Sequence, residues 1–268
     1  MLRIEGLRAG YGTQVVLEDV TFHVPPGRFV VLLGPNASGK TTLLRVITGV
    51  LRPWRGTVTW QGRDLTALSP RARARLVAMV PQARRLPPGF TVYQTVLLGR
   101  TPYLNWLGFP SARDRQAVER ALHLTGLTSL AHRAIHTLSG GEQQRVLVAR
   151  ALAQDTPIVL FDEPTTHLDL RYQMDILGLA RRLAHEEHRA VLAVLHDLNQ
   201  AALYADTLVL LHQGRIVASG PPKEVLTPSR LQDVYGVETE ILRCNGTLLV
   251  VPRFHPGLHT APSPKGQA

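Results

Sequence analysis

Cysteine is nearly absent: Cys244 is the single one in 268 residues. That excludes an internal disulfide framework and a cysteine-built zinc site. Long hydrophobic runs are missing too. The longest, residues 29–33, 158–161 and 190–195, fall far short of the roughly 20 apolar residues that span a bilayer. The opening MLRIEGLRAG lacks the apolar stretch of a secretory signal, so a soluble, cytosolic chain is expected. Lysine is scarce: of the 30 basic residues, all but Lys40, Lys223 and Lys265 are arginine. Against 20 acidic residues the net charge is +10. Such an excess suits nucleic acid or an acidic membrane face. The arginines are scattered, however, with Arg71, Arg73 and Arg75 the nearest to a cluster, and the charge reads as a compositional preference.

What is present is a hydrophobic content of 44% with 19% charged residues, the balance of a chain with a real core. The length fits one large domain or two small ones. The element order is α/β. Residues 28–33 (RFVVLL) are a continuous apolar run between Pro25-Pro26-Gly27 and Gly34-Pro35, as suits a buried strand. Residues 41–49 have helical spacing, 56–60 alternate as an exposed strand before a Gln61-Gly62 turn, and 76–80 form another strand. Strand character fades from 82 to 153, where 117–124 and 143–152 read as helices of an insertion. Buried strands resume at 158–161 and 190–195 around a helix over about 170–187, and 207–211 with 215–218 form a hairpin about Gln213-Gly214. The tail 252–268, rich in Pro, Gly and His, is expected to be loose.

The strongest chemical signal is Gly34-Pro35-Asn36-Ala37-Ser38-Gly39-Lys40-Thr41, which fits G-x-x-x-x-G-K-[ST] between a buried strand and a helix. Glycines let the backbone curl so that several N–H groups converge on one phosphate, and the helix N-terminus adds partial positive charge. Lys40 is placed to reach the β- and γ-phosphates, and the Thr41 hydroxyl to ligate Mg²⁺. One of only three lysines falls here, where a compact ammonium serves better than a guanidinium. A second signal is Ile158-Val159-Leu160-Phe161-Asp162-Glu163, an apolar strand ending in two acids. The carboxylates stand at the strand's C-terminal edge, where α/β sites lie. Asp162 can hold Mg²⁺ through water, and Glu163 can polarise an attacking water as general base.

Leu138-Ser139-Gly140-Gly141-Glu142-Gln143-Gln144-Arg145, between these two motifs, resembles the signature of the ABC transporter ATPases. The likeness covers nearly the whole chain, from Leu2 to about Val251. It implies an α/β P-loop NTPase fold with a RecA-like core sheet, an N-terminal antiparallel β subdomain and an inserted α-helical subdomain at about 83–155, within an ATPase domain over 1–251. The signature parallels the phosphate loop: a Ser139 hydroxyl and the N–H groups of Gly140 and Gly141 precede a helix, a second anion site. Two phosphate sites about a hundred residues apart suggest two chains sharing nucleotides. The resemblance implies a head-to-tail homodimer with ATP between one phosphate loop and the other chain's signature.

The same resemblance implies roles for single residues. Tyr11 stacks on adenine. Thr42 joins the phosphate loop in binding ATP, and Asp169 of the D-loop Thr166-His167-Leu168-Asp169 lies toward it. Gln82, after Val80-Pro81, touches Mg²⁺ and the water, and His196 contacts the γ-phosphate. Catalysis then falls to Glu163, His196, Gln82 and Lys40, and Mg²⁺ to Thr41, Gln82 and Asp162. The chain departs from the commonest pattern at Ala37, where glycine is frequent, and at Thr41 and Thr166, where serine is frequent. The threonines keep the hydroxyl, whereas Ala37 gives up backbone freedom.

Within that family, residues 91–107, above all Leu98-Gly99-Arg100-Thr101-Pro102-Tyr103, together with His196-Asp197-Leu198-Asn199-Gln200-Ala201, are similar to importers of iron-siderophore, haem and cobalamin. The resemblance implies a subunit that energises uptake through two separate permease subunits, peripheral to the cytoplasmic face of the cell membrane and served indirectly by a substrate-binding protein. Leu86, Phe90, Tyr103, Leu104, Trp106 and Phe109 are candidates for the groove that receives a permease helix. An importer of another solute is the alternative. A soluble ATPase acting on DNA or ribosomes is disfavoured by a single cassette without sustained heptads, so no nucleic acid is expected.

Overall fold

Strand β3 (Arg28–Leu33) shows how the chain builds two cores from one sheet. Phe29, Val31 and Leu33 enter one apolar cluster, Val30 and Leu32 the other, and all five are fully buried. Alternation on a strand buried on both faces requires this. The computed structural model describes residues 1–253 except 83–85, 87, 167 and 245. The tail expected to be loose lies outside the described residues from 254 onward, while Pro252 closes a strand.

Ahead of β3 run β1 (Leu2–Tyr11) and β2 (Gln14–Val24), an antiparallel pair. After it come α1 (Lys40–Thr48), β4 (Arg55–Trp60), β5 (Arg63–Asp64), α2 (Pro70–Ala74) and β6 (Val77–Val80). The first sheet has the order β2-β1-β4-β5 and is antiparallel throughout. The helical stretch holds α3 (Val92–Leu97), α4 (Ala112–Leu124) and α5 (Gly140–Ala153). Its first helix begins at Val92, behind a Thr91 capping box with Gln94.

The chain returns with β7 (Ile158–Asp162), α6 (Leu170–His185), β8 (Ala190–Val194), α7 (Leu198–Tyr204) and the hairpin β9 (Thr207–His212) with β10 (Arg215–Gly220). The second sheet has the order β10-β9-β3-β8-β7-β6, parallel except for β10. Helix α1 and the antiparallel sheet cover one of its faces; α5 and α6 cover the other. Two short helices, α8 (Pro222–Val225) and α9 (Pro228–Tyr235), lead to a further hairpin, β11 (Thr239–Cys244) with β12 (Thr247–Pro252). The parallel strands β3, β6, β7 and β8 all release the chain at one edge, into Gly34, Pro81-Gln82, Glu163 and Leu195-His196. No described helix is long and apolar enough to cross a membrane.

Candidate functional site

The phosphate loop is shaped by residues held at positive φ. Gly34 (φ 152) has no room for a side chain, since a Cβ would lie 2.1 Å from the Leu211 carbonyl oxygen. Gly39 (φ 110) stands at the N-terminus of α1 and supplies no side-chain cap. The first N–H groups of that helix are therefore left for an external anion. Ala37 also sits in the left-handed region (φ 63), where an alanine costs roughly 1–2 kcal/mol relative to the right-handed form. Ser38 passes its carbonyl to the Gly214 N–H at 3.1 Å, so the β9–β10 turn braces the loop.

Lys40 is buried and donates to the carbonyls of Gly34 (2.8 Å) and Pro35 (2.7 Å). Burial lowers its pKa, against the opposing pull of Glu163 and Asp162. A cavity of about 330 Å³ opens here, lined by Gln14, Val16, Glu163 and residues 36–42 of the loop and helix. Two buried polar atoms beside it have no partner, Ser38 Oγ and Asp162 Oδ1. Burial, and then Glu163, push the Asp162 carboxyl above its ordinary value. A buried, unpartnered carboxylate oxygen suits a hard, oxygen-liganded cation such as Mg²⁺.

Glu163 follows β7 at φ 48, a costly conformation for a non-glycine residue and one that concentrates at functional sites. Its N–H is fixed by the Val194 carbonyl at 3.2 Å. Each carboxylate oxygen has its own partner: Gln82 Nε2 donates to Oε2 at 2.5 Å, and His196 Nε2 contacts Oε1. Three residues from the ends of three strands thus meet at one carboxylate beside the phosphate loop.

The other expected residues lie elsewhere. Tyr11 is exposed and does not line the cavity. Burial alone would raise its phenol pKa, but hydrogen bonds with Thr42 and Arg45 bring it below the ordinary value, and Arg45 Nη1 donates to its oxygen at 2.8 Å. Ser139 caps α5 in a reciprocal box: it accepts from the Glu142 N–H at 3.3 Å and donates its own N–H to Glu142 at 2.8 Å. Gly140 and Gly141 open that helix, and a Cβ on Gly141 would press into the Tyr172 ring at 2.8 Å. Asp169 caps α6 through the Tyr172 N–H; His167, beside it, lies outside the described residues. None of Ser139, Gly140, Gly141 and Asp169 lines the cavity.

Sequence reading missed Arg45, whose charge acts on Asp162, although its place one helical turn beyond Thr41 was a usable signal. It also missed Tyr235, whose pKa is raised to about 12 by burial and whose hydroxyl meets the Gly34 backbone. No local pattern announces a contact between residues so distant in sequence.

The candidate groove residues divide. Trp106 is 91% exposed and Phe109 67%, an apolar patch on one short segment, and Phe90 is partly exposed. Leu86 instead packs against the core, and Tyr103 lies over Arg100, 3.9 Å from guanidinium carbon to ring centre. Both are partly buried and pack inward on at least one side.

Comparison with known proteins is consistent with this geometry. A profile described as ABC transporter matches residues 17–166. YusV of Bacillus subtilis, the ATP-binding protein of a siderophore transport system by its name, is 42% identical over 250 residues, covering 92% of this chain and 91% of the relative. Among solved structures, an inward-facing ABC transporter of the metal-chelate type superposes with a TM-score of 0.81 at 29% identity, over 94% of this chain and 97% of that one. A dimeric bacterial ABC transporter cassette superposes with a TM-score of 0.73 at 29% identity, over 83% and 99%.

Proposed function

Because the chain belongs to the ABC transporter family, as an ATP-binding subunit and ATPase, we propose that two copies of it hydrolyse ATP at shared sites to drive import of a metal chelate. The observation that carries the catalytic half is the meeting of Gln82 and His196 on Glu163 beside the phosphate loop. Glu163 is the general base, taking a proton from the water that attacks the terminal phosphoryl group. His196 and Gln82 hold the carboxylate in place and line the path of that water. Lys40 leaves the Gly34 and Pro35 carbonyls for the phosphate oxygens, joined by the α1 N–H groups and by Ser38. Mg²⁺, when bound, is held by Thr41, Gln82 and Asp162 and neutralises phosphate charge. Gln82 spends its amide nitrogen on Glu163, so its oxygen stays free for that cation. The signature at Ser139 lies outside the cavity of its own chain, and a second copy, head to tail, supplies it.

The metal-chelate cargo rests on the 98–103 stretch and on the siderophore relative. Two permease subunits receive the exposed Trp106–Phe109 patch at the cytoplasmic face of the membrane, and a substrate-binding protein delivers the cargo to them. The test is reconstitution in proteoliposomes with a two-subunit permease of the metal-chelate type and its binding protein. Binding protein loaded with a ferric siderophore should raise ATPase above the level with empty binding protein. No response to ferric siderophore, haem or cobalamin would contradict the cargo class.

A further inference from the structure

Arg71, Arg73 and Arg75 are the nearest thing to a basic cluster in the sequence, and the structure splits them. Helix α2 buries none of its own residues. Positions 71 and 75 share a helix face, one turn apart, while 73 faces away. Arg73 turns back to its own sheet layer: it donates to the Leu65 carbonyl at 3.0 Å and lies against Gly49 at the end of α1. Arg71 and Arg75 reach across to the helical stretch. Arg71 donates through Nε to the Pro102 carbonyl (2.9 Å) and through Nη2 to the Leu104 carbonyl (2.6 Å); Arg75 Nε donates to Pro102 at 3.0 Å. Arg75 also faces the Tyr103 ring at 5.2 Å.

The far side of the same segment is held as firmly. Arg100, 2% exposed, donates to Asp114 at 2.8 Å and to the Ala153 carbonyl at 2.9 Å, with the Tyr103 ring stacked over it. The 101–104 segment is therefore clamped between two sets of guanidinium groups. It leads straight into the exposed Trp106–Phe109 patch. On the other side of the clamp, α2 runs into β6 and then Gln82, whose amide holds Glu163. Gln154, at the end of the signature helix α5, donates to the Ala74 and Val77 carbonyls at that same α2–β6 junction.

We propose that Arg71 and Arg75 are positioning residues that couple the docking loop at 104–109 to Gln82 through α2 and β6, so that the loop and the catalytic carboxylate change state together. This rests on the reading of that loop as the permease-docking surface, but the coupling itself is measurable without a permease. Guanidinium bonds to carbonyl oxygens are charge-assisted and do not depend on the side chains of the loop. They fix where the loop stands and leave its apolar surface free.

The test is amide hydrogen exchange on the isolated protein, with and without a non-hydrolysable ATP analogue and Mg²⁺. In the unsubstituted protein, the analogue should slow exchange at 34–42 and change it at 103–109. In the Arg71→Ala/Arg75→Ala variant, exchange at 103–109 should rise about tenfold or more, the loss expected for such bonds. Its response to the analogue should vanish while the response at 34–42 stays. Arg73→Ala should leave the loop's response intact, and Arg71→Lys, should the double variant not fold, should retain part of it. A response at 103–109 that survives the double substitution, that is absent from the unsubstituted protein, or that Arg73→Ala abolishes equally would overturn the proposal. Failure of docking would show separately, as permease binding indifferent to Trp106.

Discussion

His196 Nε2 meets Glu163 Oε1, the carboxylate oxygen that Gln82 leaves free. An amide in place of that carboxylate can still accept from Gln82 and donate to the imidazole, so Glu163→Gln should preserve the shape of the site. It cannot take a proton. Turnover should fall at least about 100-fold, the scale of general-base catalysis, with ATP affinity retained. The variant should also accumulate an ATP-bound dimer, visible by size exclusion with light scattering. Turnover near that of the unsubstituted protein would remove Glu163 from its role.

Asp162 carries a cost that a cation offsets. Its folded pKa lies above the ordinary 3.8, because burial and Glu163 disfavour the ionised form. The sign follows: the fold binds the proton more tightly than the unfolded chain, so stability falls as pH rises from 3.8 through the folded pKa. Asp162→Asn should therefore raise Tm at pH 7.5 in the presence of a chelator, by about 2–4 °C if the relief is about 1 kcal/mol. The difference should shrink toward pH 4, and Mg²⁺-dependent ATPase should be lost. Thermal melts across that pH range read both.

Ala37 occupies a left-handed position that glycine adopts freely. Relief of roughly 1–2 kcal/mol of backbone strain competes with about 0.4–1 kcal/mol of added freedom in the unfolded chain. Ala37→Gly should thus be neutral to modestly stabilising in a denaturant melt, whereas Ala37→Val, β-branched, should be destabilising and weaken ATP binding.

Trp106 and Phe109 project from the helical stretch without cover. Replacing both with Ser should abolish co-purification with the permease and leave ATP binding and the melting temperature unchanged. A matching loss of nucleotide binding would mean that they support the fold.

Much of the catalytic constellation was legible because its chemistry is local. Lys40 follows a glycine loop, Asp162 and Glu163 end an apolar strand, and Ser139 opens a helix. Each needs only a short window of sequence. Strand β1 was not placed by periodicity for a visible reason: its register shifts between Ile4 and Leu7 and again before Ala9, with Gly6 at φ 56, so alternation breaks. The β11–β12 hairpin was missed because only Val250 in it is buried, which leaves little hydrophobic signal. The likeness in 98–103 was legible, but its cause was not. Arg100 is a buried tie to Asp114 and Ala153, and only the folded chain brings these together. Long-range pairs such as Tyr235 with Gly34, or the Asn199 amide with the Val250 backbone, leave no trace in the order of residues.

The central claim is that one nucleotide site is built from two chains: Lys40 and Glu163 of one, Ser139 of the other. Glu163→Gln removes the base and keeps the signature; Ser139→Arg spoils the signature and keeps the base. Each variant alone should be inactive. Random exchange makes about half of all dimers mixed, and each mixed dimer holds one whole site, so ATPase should return on mixing to at most about a quarter of the unsubstituted rate. Mass spectrometry establishes that subunits have exchanged. Recovered activity in that mixture is the predicted result, and a mixed dimer of Ser139→Arg with the unsubstituted chain should keep about half activity. Exchange without recovery, joined to activity in that second dimer that does not depend on the partner's signature, would contradict the shared site.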